Sequence, residues 1–176
     1  MRAILPALLL FAVATGCTSQ PPAPEDPVLA ELTARARAVC DARPNQVALC
    51  IPFAGCEGDS GPAWVGRATA QEGGGVHAGS TTGVRCDGRW TARDFRSRGT
   101  ADTACSDGTS GRIAFTYTRP SEGEATGQVS LAAGQSFTVR SGRDIARQFS
   151  GPDRAAERAA ERACFARAFA REGRNG

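Results

Sequence analysis

The chain of 176 residues contains no lysine: all 21 of its basic residues are arginine. A bias that complete reflects the codon usage of an arginine-favouring genome, so arginine clusters carry little weight here as a nucleic-acid signal. A net charge of +3 likewise gives no general attraction to polyanions. There is one histidine, His77, with no carboxylate or cysteine at ligand spacing beside it, so no metal centre is legible. No pair of carboxylates stands in a recognisable acid/base context and no phosphate-cradling loop follows a strand. The expectation is therefore a protein without catalytic residues, cofactor or nucleic-acid partner. The apolar run from Leu5 to Val13 falls short of the ~20 residues a membrane-spanning helix needs.

What the chain does have is a stretch from 63 to 141 in which short alternating runs are punctuated by glycine turns. Ile113, Phe115 and Tyr117 alternate with Arg112, Ala114, Thr116 and Thr118, the period of a strand with one buried face. Gly127, Val129, Leu131 and then Phe137, Val139 repeat the pattern. Short connections between successive strands predict an antiparallel meander. Asp87-Gly88, Asp107-Gly108 and Ala133-Gly134 supply glycines where tight hairpins need positive φ. Upstream, a strand is expected over 63–70 with Trp64 as its core anchor, then a shorter one over 76–80 containing His77.

The N-terminus reads as an export signal. Met1-Arg2 is a short basic start, Leu5 to Val13 an apolar core, and Ala14-Thr15-Gly16 precedes Cys17. This resembles the bacterial lipobox, with Ala14 where leucine is commonest. The resemblance implies cleavage after residue 16 and acylation of Cys17, and Thr18 in place of an aspartate is similar to the pattern sent on to an outer membrane. The alternative is an ordinary secretory signal cleaved nearby. Seven cysteines are an odd number for an exported chain. Setting Cys17 aside leaves Cys40, Cys50, Cys56, Cys86, Cys105 and Cys164, enough for three disulfides in an oxidising compartment.

Residues 17–27 hold the candidate lipidated cysteine and a proline-rich tether. Asp26 as N-cap and Pro27 at the first turn then open a helix with Val28, Leu32, Ala36 and Val39 on one face, ending near Asp41. After it, residues 44–62 read as a cysteine-containing loop. Within this loop Cys56-Glu57-Gly58-Asp59-Ser60-Gly61-Pro62 looks like the nucleophile segment of chymotrypsin-type serine proteases. One glycine, where that family has two, separates Ser60 from the proline, and His77 follows the serine instead of preceding it, so a base for Ser60 is missing. A turn entering a strand is the plainer account.

Gly83-Val84-Arg85-Cys86-Asp87-Gly88 followed by Cys105-Ser106-Asp107-Gly108, Ser110-Gly111 and Phe137-Thr138-Val139 resembles the glycine-rich β domain of small proteobacterial envelope lipoproteins, a family without an assigned activity. The resemblance covers about residues 63–141. It implies a small disulfide-bearing antiparallel β domain with Cys86 paired to Cys105, and it carries over no catalytic residue.

Past Arg140 the periodicity changes, and Asp153 to about Arg171 reads as a helix. Alanine stripes (Ala155, Ala159, Ala163 and Ala156, Ala160, Cys164) run into Phe165 and Phe169. Arg154, Arg158 and Arg162 interleave with Glu157 and Glu161, the mark of a solvated face with local ion pairs more than of a surface for acidic lipids. Six cysteines allow fifteen connectivities. One of them staples the two helices through Cys40–Cys164 and leaves Cys50 with Cys56.

The expected organisation is a signal peptide (1–16), tether (17–27), helix and cysteine loop (28–62), β domain (63–141), and C-terminal helix and tail (142–176). The expected fold is mainly β, α+β overall, a small antiparallel sheet or barrel with a flanking helix at each end. The expected role is non-catalytic binding or structural work, lipid-anchored in the bacterial cell envelope at the outer membrane, with an envelope protein as possible partner and the small-molecule ligand unknown. Two rivals are an exported inhibitor presenting the Cys50–Cys56 loop to a partner and a serine hydrolase using Ser60.

Overall fold

The alternating runs are strands, and they close on themselves. The computed structural model describes residues 26–71, 73–92, 98–132 and 134–175. The strands are β1 (Cys50–Cys56), β2 (Ala63–Thr69), β3 (Gly75–Ser80), β4 (Arg85–Ala92), β5 (Arg98–Cys105), β6 (Ser110–Arg119), β7 (Glu124–Leu131) and β8 (Ser136–Ser141). Each pairs antiparallel with the next, and β8 returns to β1 through Phe53↔Ser141, Ala54↔Arg140 and Gly55↔Val139. The architecture is therefore the barrel form of the expected fold. The helices are α1 (Pro27–Asp41), the single turn α2 (Ile145–Gln148) and α3 (Ala155–Asn175). Cys17, the signal sequence and the proline-rich tether up to residue 25 lie outside the described residues.

The barrel includes a strand that no alternation reveals, because Cys50–Cys56 is β1 and not part of a loop. Residues 50 to 55 are all buried. Ile51, Phe53 and Gly55 turn to the barrel interior, and Ala54 on the outer face lies under the helices with Ala63 and Val65. A strand covered on both faces loses the polar half of the alternation. The barrel thus runs from residue 50 to 141. Asp87-Gly88 also departs from expectation: it lies inside β4, paired with Ala104 and Thr103, and the β3–β4 turn is made by Thr81, Thr82 and Gly83, with φ +89° at the glycine. Asp107-Gly108 does form a turn, with Gly108 at φ +82°.

Asp26 caps α1 as its sequence demands, accepting from the Val28 amide at 2.9 Å. Leu32 and Ala36 bury against Ala54, Ala63 and Val65, together with Ile145, Phe149, Phe165 and Ala168. This outer core joins all three helices to the β1–β2 hairpin. In α3 only the C-terminal half of the apolar pattern is used: Cys164, Phe165 and Ala168 are buried, whereas Ala155, Ala156, Ala159, Ala160 and Ala163 are exposed. Alanines at helical spacing record helix propensity as readily as a packed face.

The disulfides are Cys40–Cys50, Cys56–Cys164 and Cys86–Cys105. The last is the pairing implied by the family resemblance, between residues directly opposite in β4 and β5. The other two overturn Cys40–Cys164 and Cys50–Cys56. Six strand steps place Cys50 and Cys56 about 20 Å apart, far beyond the ~7 Å that a disulfide tolerates between Cα atoms. Each instead bonds the helix nearest its own end of β1, with Cα separations of 5.7 Å to Cys40 and 6.2 Å to Cys164.

Candidate functional site

The barrel interior is filled at one end and hollow at the other. At the end where β1 finishes and β2 begins, Trp64 stacks on Phe137 with ring centroids 6.2 Å apart, and Val84, Leu131 and the Cys86–Cys105 bridge pack around them. None of these residues borders the hollow. Beyond them the inward positions become small, with Ala68, Ala101, Ala125, Gly123 and Gly127, and a cavity of about 330 Å³ remains. It reaches solvent past Pro120, Ser121 and Arg143, all exposed. The result is a cup with a closed floor, of the size at which ligand pockets begin.

Large side chains line the wall by facing glycines across the ladder. Phe53 stands opposite Gly66, where an added Cβ would come within 2.4 Å of its ring, and Phe115 opposite Gly99, where the approach would be 2.3 Å. Trp90, Phe115 and Tyr117 form an edge-to-face series at 6.1 and 5.2 Å, an arrangement aromatic quadrupoles favour. The Trp90 indole is fixed by donating to the Thr69 carbonyl at 2.7 Å. Ile51, Ile113, Val76 and Val139 complete an apolar wall.

Polar groups gather at the mouth. Burial pushes the Tyr117 phenol up, so it stays a neutral hydroxyl. The Ser141 hydroxyl donates to the Gly123 carbonyl at 2.9 Å, tying the end of β8 to the start of β7. Outside the rim, burial by itself would raise the Glu124 carboxyl. Its 2.7 Å bond from Arg119, with Gln148 and Arg147 nearby, outweighs burial and holds the group below the usual carboxylate range. Among the described residues, Arg143 is the only charged one lining the cavity. Its Nη2 donates to the Ala48 carbonyl at 3.1 Å, and no carboxylate pairs with it among the described residues.

Sequence reasoning did not find this site, since its signal is spread over inward positions of every strand and appears as a motif nowhere. Two features that the sequence did single out lie elsewhere. Ser60 is in the β1–β2 turn, which α3 holds through Arg167 on the Asp59 carbonyl and Arg171 on the Gly61 carbonyl. His77 pairs in register with Arg67, four strand steps or about 13 Å along β2 from Ala63, so the structure does not bring it to Ser60. It does give His77 a partner that spacing concealed: the Asp87 carboxylate, on the outer face of β4, hydrogen-bonds Nδ1. No group of three or more potential metal ligands occurs among the described residues.

Arg158 and Arg162 of α3 are likewise engaged. Arg158 donates to the Ser150 carbonyl and Arg162 to that of Phe149, each at 2.5 Å. Glu157 and Glu161 bond Arg140 on β8, a partner outside their own helix.

No family model and no curated protein matches this chain. Among solved structures, a de novo designed fluorescence-activating β-barrel aligns at 16% identity over 53% of this chain and 90% of that one, with a TM-score of 0.43. So loose a likeness carries no weight for function. The barrel assignment stands on the closed strand pairing itself.

Proposed function

We propose that this is an exported, lipid-anchored protein of the bacterial cell envelope whose barrel binds a small apolar molecule without transforming it. The observation that carries the binding reading is the apolar cup. A folded chain ordinarily fills its interior to crystal-like density, and here small residues on three strands, β2, β5 and β7, leave a hollow ringed by aromatic side chains. The inhibitor alternative loses its surface, because the Cys50–Cys56 segment it requires is a strand buried on both faces.

The neutral dye N-phenyl-1-naphthylamine tests the cup directly: its ten-carbon naphthyl ring matches the hollow while its phenyl ring projects past Pro120 and Ser121 at the open mouth, and its fluorescence rises on leaving water for an apolar site. Wild-type protein is expected to enhance the dye with saturation at one equivalent. Ala125→Phe and, from a different strand, Ala101→Leu point added side chains into the hollow and should weaken dye binding at least tenfold. Circular dichroism serves to check that both variants remain folded. Enhancement that is absent in the wild type, or unchanged in folded cavity-filled variants, would overturn the reading.

Anchoring rests on the Gly16-Cys17 signal and has its own test. Intact mass of the protein taken from its native membrane should show acyl mass on a chain beginning at Cys17, and an unacylated chain would remove the anchor.

A further inference from the structure

We propose that the cup is selective for a ligand with a carboxylate head, held at the mouth by Arg143, on an apolar body of roughly ten carbons. The proposal rests on the cup being a binding site and names what it takes. Size comes first: at the roughly 30 Å³ that a water-sized group occupies in a liquid, about 330 Å³ admits about eleven non-hydrogen atoms. A body that small and apolar fits between Phe53, Trp90, Phe115 and Ile113 without a buried polar group to satisfy.

Charge then fixes the head. No carboxylate among the described residues lines the cavity, so a cationic ligand would enter a wall with no counter-charge and meet a guanidinium at the rim. The arginines just outside the rim are committed: Arg119 bonds Glu124 at 2.7 Å and Arg147 approaches Glu122 at 3.7 Å. Arg143 differs, for it bonds only a backbone carbonyl, and among the described residues its Nη1 and Nε edges have no partner. A guanidinium offers five N–H donors in a planar fork suited to a carboxylate. Ser121 and Tyr117, which also line the cavity, add hydroxyl donors.

The test is displacement of bound N-phenyl-1-naphthylamine by three ligands of matched chain: decanoic acid, decan-1-ol and decyltrimethylammonium, each below its micellar concentration at pH 7.5 and low salt. The acid is expected to displace the dye at about fivefold lower concentration than the alcohol, the scale of a partly solvated ion pair, and the ammonium should be weakest. Raising the salt should narrow the gap. Arg143→Gln should abolish the acid's advantage over the alcohol, and Arg143→Lys should restore part of it. Equal displacement by acid and alcohol, or an advantage that survives in Arg143→Gln, overturns the carboxylate selectivity while leaving the cup intact. A dye that never gains fluorescence removes the cup itself, a separate failure.

Discussion

Arg140 joins the barrel to its longest helix. It projects from the outer face of β8 and is only 5% exposed, with Nε donating to both oxygens of Glu161 at 3.1 and 3.0 Å and Nη2 to Glu157 at 2.6 Å. Removing the guanidinium leaves the Glu161 carboxylate, whose side chain is 15% exposed, without its counter-charge in a place where water reaches it poorly. Arg140→Met should therefore destabilise the fold by about 3 kcal/mol, the lower end for breaking a buried pair, because Glu157 is more exposed and keeps Arg154 at 3.2 Å. Adding Glu161→Met should recover most of that loss, since replacing both partners removes the stranded charge. Urea unfolding of the two variants decides it: a single variant within ~0.5 kcal/mol of wild type, the scale of ordinary surface changes, would mean that the joint carries no energy. The α3 sequence shows these glutamates only as neighbours of arginines on their own helix. Their partner is 17 and 21 residues upstream, on a strand, where helical spacing gives no hint of it.

At the scale of elements, what was legible is whatever one face of water leaves a trace of. Strands β6, β7 and β8 alternate because their outer faces are solvated along much of their length, and α1 announces itself by Asp26-Pro27 and a stripe from Val28 to Val39. Strand β1 was invisible because helices cover its outer side, so Cys-Ile-Pro-Phe-Ala-Gly-Cys has no polar half. Its Pro52 added to the disguise. Gly88 misled for a related reason: it is required not by a turn but by a close approach, since a Cβ there would lie 2.0 Å from the Asp102 carbonyl oxygen of β5. The cup shares this property. Its decisive residues are small ones at inward positions, and an alanine that leaves space reads the same as an alanine that fills it. Only closure of the ring, which depends on the unseen β1, converts Ala68, Ala101 and Ala125 into the wall of a hollow.

For the whole molecule, the three disulfides should contribute unequally, and their order follows from the loops they close. Cys56–Cys164 spans 108 residues, Cys86–Cys105 spans 19 and Cys40–Cys50 spans 10. Chain entropy alone ranks them at about 4.7, 3 and 2.7 kcal/mol. The middle value understates its bond, because Cys86 is 5% exposed within the barrel floor and losing the bridge also loosens the packing around Trp64 and Phe137. Paired cysteine-to-alanine variants, compared by urea unfolding, should therefore show Cys40/Cys50 as the mildest loss. A Cys40/Cys50 variant as damaged as Cys56/Cys164 would overturn the ranking. Dye binding should separate the remaining two pairs. Removing Cys56–Cys164 frees α3 from the outside of β1 but leaves the β1–β8 seam and the cup wall intact, so affinity should hold while stability falls. Removing Cys86–Cys105 slackens the floor on which the cup is built, so affinity and stability should fall together.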